Sequence, residues 1–183
     1  TGHADGANAG FLRPDSVFAL VIVTDEEDCS ASDPNLFNPL SSDYTSDLNL
    51  RCFQYPGALH PISRFVSGLL ATRGRTGDLV YAVIAGVPLE TVPASGTPDY
   101  EAMLAHADMV ERLDPAMPTR LAPSCNVAGR GLAFPPRRIV NVARELSIRG
   151  TPTTVQSICQ ADYTGAITAI ADRVGAVVGM SCD

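Results

Sequence analysis

The segment from Val17 to Thr24, Val-Phe-Ala-Leu-Val-Ile-Val-Thr, constrains the fold more than any other part of this chain. It is an unbroken apolar run rich in β-branched residues, and it leads straight into Asp25. Continuous hydrophobicity, as opposed to alternation, predicts burial on both faces, the habit of a parallel strand inside an α/β sheet. Leu79 to Val87 predicts a second such strand, and the shorter, mixed run Thr153 to Cys159 a third, nearer an edge. On this reading Val17–Thr24 lies mid-sheet and wants a neighbour on each side, so a further strand is expected before residue 1.

Helical periodicity fills the intervals. Pro61 suits a first helical position, and Ile62, Phe65, Val66, Leu69 and Leu70 then recur as one apolar stripe. Thr97 and Pro98 open a helix with Tyr100, Leu104 and Ala107 on one side. After Pro135 and Pro136, the residues Ile139, Val140, Ala143 and Leu146 form another stripe, with Gly150 as its stop. Asp162 caps a last helix expected to turn Ile167, Ile170, Ala171, Val174, Val177 and Val178 inward. Strands alternating with helices predict an α/β fold: three layers, a mainly parallel sheet with flanking helices.

Two stretches lack periodicity, 26–59 and 114–136. The first holds Asp33, Pro34, Asn35, Asn38, Pro39, Ser41, Ser42 and Asp43, all turn formers. Structureless loops of this length are functional or tied down. Five cysteines, Cys29, Cys52, Cys125, Cys159 and Cys182, include no C-x-x-C pair, which argues for disulfides over a zinc ribbon or a redox motif. A Cys29–Cys52 bond would close the first loop and is credited with roughly 3 kcal/mol. Cys125 and Cys159 would staple the second loop to the third strand. Fifteen pairings are open to five cysteines with one left over, so these two are expectations. The odd cysteine falls to Cys182, whose partner is expected outside this chain.

The 183 residues suit one domain, with 1–10 read as a flexible terminus. A net charge of -7 with no lysine excludes a basic face for nucleic acid, and no run reaches the roughly 18 apolar residues of a membrane span. Disulfides with neither membrane insertion nor nucleic-acid binding point to a secreted or cell-envelope protein, periplasmic or on the outer surface.

Chemistry concentrates in Thr24-Asp25-Glu26-Glu27-Asp28-Cys29-Ser30, at the carboxyl end of the first strand, where open α/β sheets bind ligands. Four consecutive carboxylates repel one another, and a hard cation such as Mg²⁺ or Ca²⁺ would relieve this through oxygen ligands. The bland alternative is a hydrated acidic loop. Arg137 and Arg138 at a helix start oppose the helix dipole and call for an anion, or for surface acids nearby. His3, His60 and His106 are scattered, Gly129-Arg130-Gly131 is a loop, and no nucleophile elbow, phosphate loop or zinc-protease helix occurs.

The segments Phe11-Leu12-Arg13-Pro14, Val23-Thr24-Asp25-Glu26-Glu27-Asp28-Cys29-Ser30, Arg51-Cys52-Phe53 and Ser157-Ile158-Cys159-Gln160-Ala161-Asp162 resemble exported bacterial proteins that carry a von Willebrand factor type A-like domain. The resemblance implies a doubly wound, Rossmann-like sheet with a metal-dependent adhesion site at its carboxyl edge, Thr24-Asp25 matching that family's Thr-Asp-Gly motif with Glu26 in place of the glycine. The opening strand with its Asp-x-Ser-x-Ser loop should precede residue 11, and nothing there fits. The chain is therefore read as the later, partial portion of such a domain. Asp28-x-Ser30-x-Ser32 matches the pattern literally but is read as coincidence. These readings converge on an adhesion or binding module, not an enzyme, for a protein or surface glycan. Its metal ligands are expected to be Asp25, Glu27 and Asp28, with Glu26 and Ser30 contacting the ligand. The alternatives are a metal-dependent hydrolase using Asp25, Glu27, Asp28 and His60, and an inert structural module.

Overall fold

In the computed structural model, which describes residues 6–180, the apolar runs become a three-stranded parallel sheet with helices on both faces. The regular elements are β1 (Phe18–Val23), α1 (Arg51–Gln54), α2 (Ile62–Leu70), β2 (Leu79–Ala85), α3 (Tyr100–Ala105), β3 (Leu113–Asp114), β4 (Met117–Leu121), β5 (Cys125–Val127), β6 (Gly131–Ala133), α4 (Arg137–Ile148), β7 (Thr153–Ser157) and α5 (Thr164–Met180). Sheet order is β1-β2-β7, with Phe18 in register with Leu79 and Tyr81 with Thr153. Cys182 and His3 lie outside the described residues, as does the first half of the expected flexible terminus.

β2, not β1, is the central strand, and all seven of its residues are buried. On one face Tyr81, Val83 and Ala85 meet Val66 of α2 and Val140, Ala143 and Leu146 of α4, with Phe18, Leu20 and Ile22 at the margin. On the other, Ala82 and Ile84 meet Ala166 and Ile170 of α5. This gives the layered arrangement expected of an α/β chain. Two expectations are corrected. β1 is an edge strand whose residues alternate between partly buried and exposed, with Val21 at 45% and Val23 at 64%. Helix α5 lies over β2 and β7, and among the described residues the second face of β1 is left without such a layer. For the same reason α5 buries Ala166, Ile170 and Val177, while Ile167, Ala171 and Val178 face outward. β7 lies at the other edge of the ladder as expected, yet all five of its residues are buried, because α4 and α5 both cover it.

The stretch 114–136 is not irregular: it folds into two antiparallel hairpins, β3–β4 and β5–β6. The second turns through Gly129 and Gly131, both at positive φ, and packs onto Gly86 at the end of β2. A Cβ on Gly86 would lie 2.5 Å from the Phe134 carbonyl oxygen, so only glycine admits this approach. The stretch 26–59 is held by a small core of Leu36, Ala58 and Leu59 and by buried Arg51, which donates to the carbonyls of Leu36 (2.8 Å), Asn38 (2.8 Å) and Ser46 (3.1 Å). Both expected disulfides are present, Cys29–Cys52 and Cys125–Cys159, with Cα separations of 5.6 and 5.9 Å. The first clamps the long loop to the end of β1; the second clamps the β5–β6 hairpin to the end of β7.

Candidate functional site at the carboxyl rim of the sheet

β1 delivers Thr24 and the acidic loop to the carboxyl end of the sheet, where the ends of β2 and β7 also emerge. The loop is tied down at every residue. Thr24 N–H extends the ladder to the Ile84 carbonyl (3.0 Å), and its hydroxyl accepts the Glu26 N–H (3.0 Å), a turn that bends the chain off the strand. The Asp25 carbonyl accepts the Phe134 N–H at 2.8 Å. The side chains of Asp25 and Glu26 are left exposed.

Glu27 turns inward. Its carboxylate accepts the backbone N–H groups of Arg138 (2.6 Å) and Ile139 (3.4 Å) at the start of α4, and that of Asp28 (2.8 Å). The residue before α4, at the cap position, is Pro136, which offers no side-chain cap, so the cap arrives from 111 residues away in sequence. Withdrawal from water pushes the Glu27 carboxyl up to about 7, with the Glu111 charge adding to the rise and the three N–H donors opposing it. Burial likewise raises Glu26, helped by Asp25, and raises Glu111 against the opposing pull of Arg137 and Arg138.

Asp28 pairs with the Arg138 guanidinium at 3.0 and 3.1 Å and accepts from the Ser30 N–H (3.2 Å) and hydroxyl (2.5 Å). Arg138 also donates to the His60 carbonyl at 2.5 Å, and His60 N–H donates to the Ser30 carbonyl at 2.9 Å. The anions called for by the arginines at this helix start thus include the chain's own Glu27 and Asp28. Arg137 donates to the carbonyls of Leu104 (2.9 Å) and Met109 (2.8 Å), with Glu111 at 3.8 Å. The His60 ring lies on Arg64, Nη1 to Nε2 2.6 Å. Ser32 donates to the Ala58 carbonyl across the long loop, so Asp28, Ser30 and Ser32 are each engaged by the chain's own groups.

Asp25 is thus exposed, while Glu27 and Asp28 are both engaged by Arg138 at the start of α4. Among the described residues, the one group of three potential ligand side chains with all ligand atoms within 4.8 Å is Glu90, His106 and Asp108. Glu90 sits in the turn after β2, and His106 follows α3. His106 Nε2 lies 3.2 Å from Glu90, while Nδ1 accepts the Asp108 N–H at 3.2 Å. The sequence sets His106 apart from the other histidines and gives it no role. The signal for its role was its spacing two residues before Asp108, the pattern of a capping side chain.

Two depressions flank the acidic loop's surroundings. One, of about 580 Å³, is a broad and open hollow against the small core, lined by Asp33, Tyr44 and Tyr55 and by no residue of the acidic loop. The other, of about 510 Å³, is more enclosed and lies beside the loop itself, bounded by Glu26, Glu27 and the Cys29–Cys52 bridge. Its other walls carry Phe37, Phe53 and Phe134, together with Glu111 and Arg120 near the β3–β4 hairpin. Arg120 is committed to Asp114 at 2.8 and 2.9 Å. No helix among the described residues is long and apolar enough to cross a membrane, and the two disulfides fit an oxidising compartment. Compared with family models, curated proteins and solved structures, the chain matches none.

Proposed function

We propose that this chain is a binding module of an exported protein, von Willebrand factor A-like in design, that holds a protein or surface glycan at the carboxyl rim of its sheet. One observation carries the reading. The acidic loop is fixed by α4, by Cys29–Cys52 and by the Asp25–Phe134 bond, yet Asp25 and Glu26 remain exposed. A contact surface already ordered before binding avoids the entropy cost of ordering it on contact. The test compares wild type with Asp25→Ala/Glu26→Ala and with the remote Glu145→Ala for capture of secreted proteins and surface polysaccharide from the producing cells. Binding lost only in the rim variant supports the module; equal binding by all three overturns it. Sustained turnover of ester or phosphoester substrates that vanishes in Asp25→Ala would replace it with the hydrolase alternative.

Cation dependence is the second part of the proposal. Asp25 is free to reach Mg²⁺ or Ca²⁺ shared with a ligand, whereas Glu27 and Asp28 are held by Arg138 and α4. The Glu90–His106–Asp108 group favours a different ion, because an imidazole beside carboxylates suits Zn²⁺ better than Mg²⁺. Melting temperature with each metal and with chelator, in wild type, Asp25→Ala and His106→Ala, separates the two. Stabilisation by Mg²⁺ or Ca²⁺ that Asp25→Ala loses assigns the first site; stabilisation by Zn²⁺ that His106→Ala loses assigns the second. A wild type indifferent to all three metals ends the cation part.

A further inference from the structure

The cleft beside the acidic loop has a chemistry of its own. Three carboxylates line it, Glu26, Glu27 and Glu111, drawn from two separate parts of the chain; Glu27 spends its oxygens on the N–H groups of Asp28, Arg138 and Ile139, which leaves Glu26 and Glu111 to meet an occupant. The cation within it, Arg120, is already neutralised by Asp114. Arg137 stands 3.8 Å from Glu111 but spends its Nη1 donors on two carbonyls. The cleft is therefore acidic in excess. Phe37, Phe53 and Phe134 also line it. Phe37 and Leu48, both 43% exposed, form apolar shoulders at the mouth.

We propose that this cleft seats an arginine side chain of a protein partner. The inference deepens the binding reading above and rests on it. Charge complementarity selects a cation. Metal ions fit poorly, because no three carboxylates here bring their oxygens within 4.8 Å of one another. A guanidinium suits carboxylates and aromatic rings set apart from one another: it is planar, can donate along two edges to different carboxylates, and can stack its face on an aromatic ring. The exposed shoulders of Phe37 and Leu48 extend the contact beyond one side chain, which favours a folded partner over a free small cation. The Cys29–Cys52 bridge forms part of the wall, so the cleft belongs to the oxidised protein.

The test is an NMR titration of the full, ¹⁵N-labelled, oxidised chain with N-acetyl-arginine methylamide, and with the isosteric but neutral citrulline analogue. Saturable shifts are expected at the backbone amides of Glu26, Cys29, Phe53, Glu111, Leu121 and Phe134 with the arginine probe alone. Glu26→Gln/Glu111→Gln should weaken binding by about tenfold, the scale of one charge-assisted hydrogen bond. A second variant, Phe37→Ala, tests the aromatic wall without touching charge and should also weaken it. Equal shifts with citrulline, shifts centred on other acidic surfaces, no saturation, or full affinity in the double variant would each overturn the proposal. A neutral disaccharide that shifts the same amides while arginine does not would overturn it in favour of a glycan. Failure here with the rim variant still losing captured partner leaves the module standing without its arginine; failure of both removes the module.

Discussion

Glu27 and Arg138 show how one pair of residues settles the shape of the rim. Glu27 gives α4 the cap its own Pro136 cannot supply, and Arg138 then reaches back to Asp28 and the His60 carbonyl. Because burial raises Glu27 from its ordinary value near 4.5 to about 7, the folded state holds a proton that the unfolded state releases across that window. Stability is therefore expected to fall as pH rises from about 4.5 to 7, by a contribution of about 3 kcal/mol from this group. Glu111, Tyr81 and the N–H groups of Asp28, Arg138 and Ile139 all face it, and Glu26 and Glu111 shift in the same direction and steepen the slope. Urea unfolding across this range checks the sign, with Glu27→Gln expected to flatten the curve. An unchanged slope in the variant would assign the dependence to other groups. None of this was legible locally, since residues 27 and 138 meet only once the chain has folded. Two arginines beside an uncapped, proline-started helix were the sole hint that an anion must come from elsewhere.

Among the elements, β1 carries the clearest consequence. Its local sequence specified a strand, and the strand formed; what covers a strand depends on where its neighbours go, which six apolar residues cannot state. Its outer edge pairs with nothing among the described residues, and its run Phe18–Val23 contains none of the charges or prolines that guard natural edges. Concentration-dependent self-association is expected, reduced by Val23→Arg, which places a charge on the exposed face at 64% exposure. Sedimentation velocity at several concentrations decides it; a wild type monomeric throughout contradicts the expectation. The helices Ile62–Leu70 and Arg137–Ile148 were readable because their stripes meet a broad apolar face. The β3–β4 and β5–β6 hairpins escaped because strands of two to five residues have too few positions to show a period. Ile167 and Val178 were assigned inward on periodicity alone, but α5 packs its buried residues on β2 and β7, which leaves these two exposed.

For the molecule as a whole, the two disulfides decide whether the rim keeps its form. Both pairs were expected among fifteen open pairings because they would close the long loops, and each ties a loop to the carboxyl end of a strand. Reduction is expected to cost roughly 3 kcal/mol for the Cys29–Cys52 loop and to widen the cleft before the sheet unfolds. Hydrogen exchange of the 26–59 amides with and without reductant measures this, with faster exchange there and unchanged exchange in β2 expected; exchange rising equally in β2 would contradict it. The account as a whole depends on the junction between the acidic end of β1 and the start of α4. A ¹³C carboxyl titration of selectively labelled protein, read together with the Arg138 and Ile139 amide shifts, measures that junction most directly. The account predicts a Glu27 midpoint near 7 that both amides share; a Glu27 midpoint in the ordinary carboxylate range, with both amides indifferent to it, would contradict it.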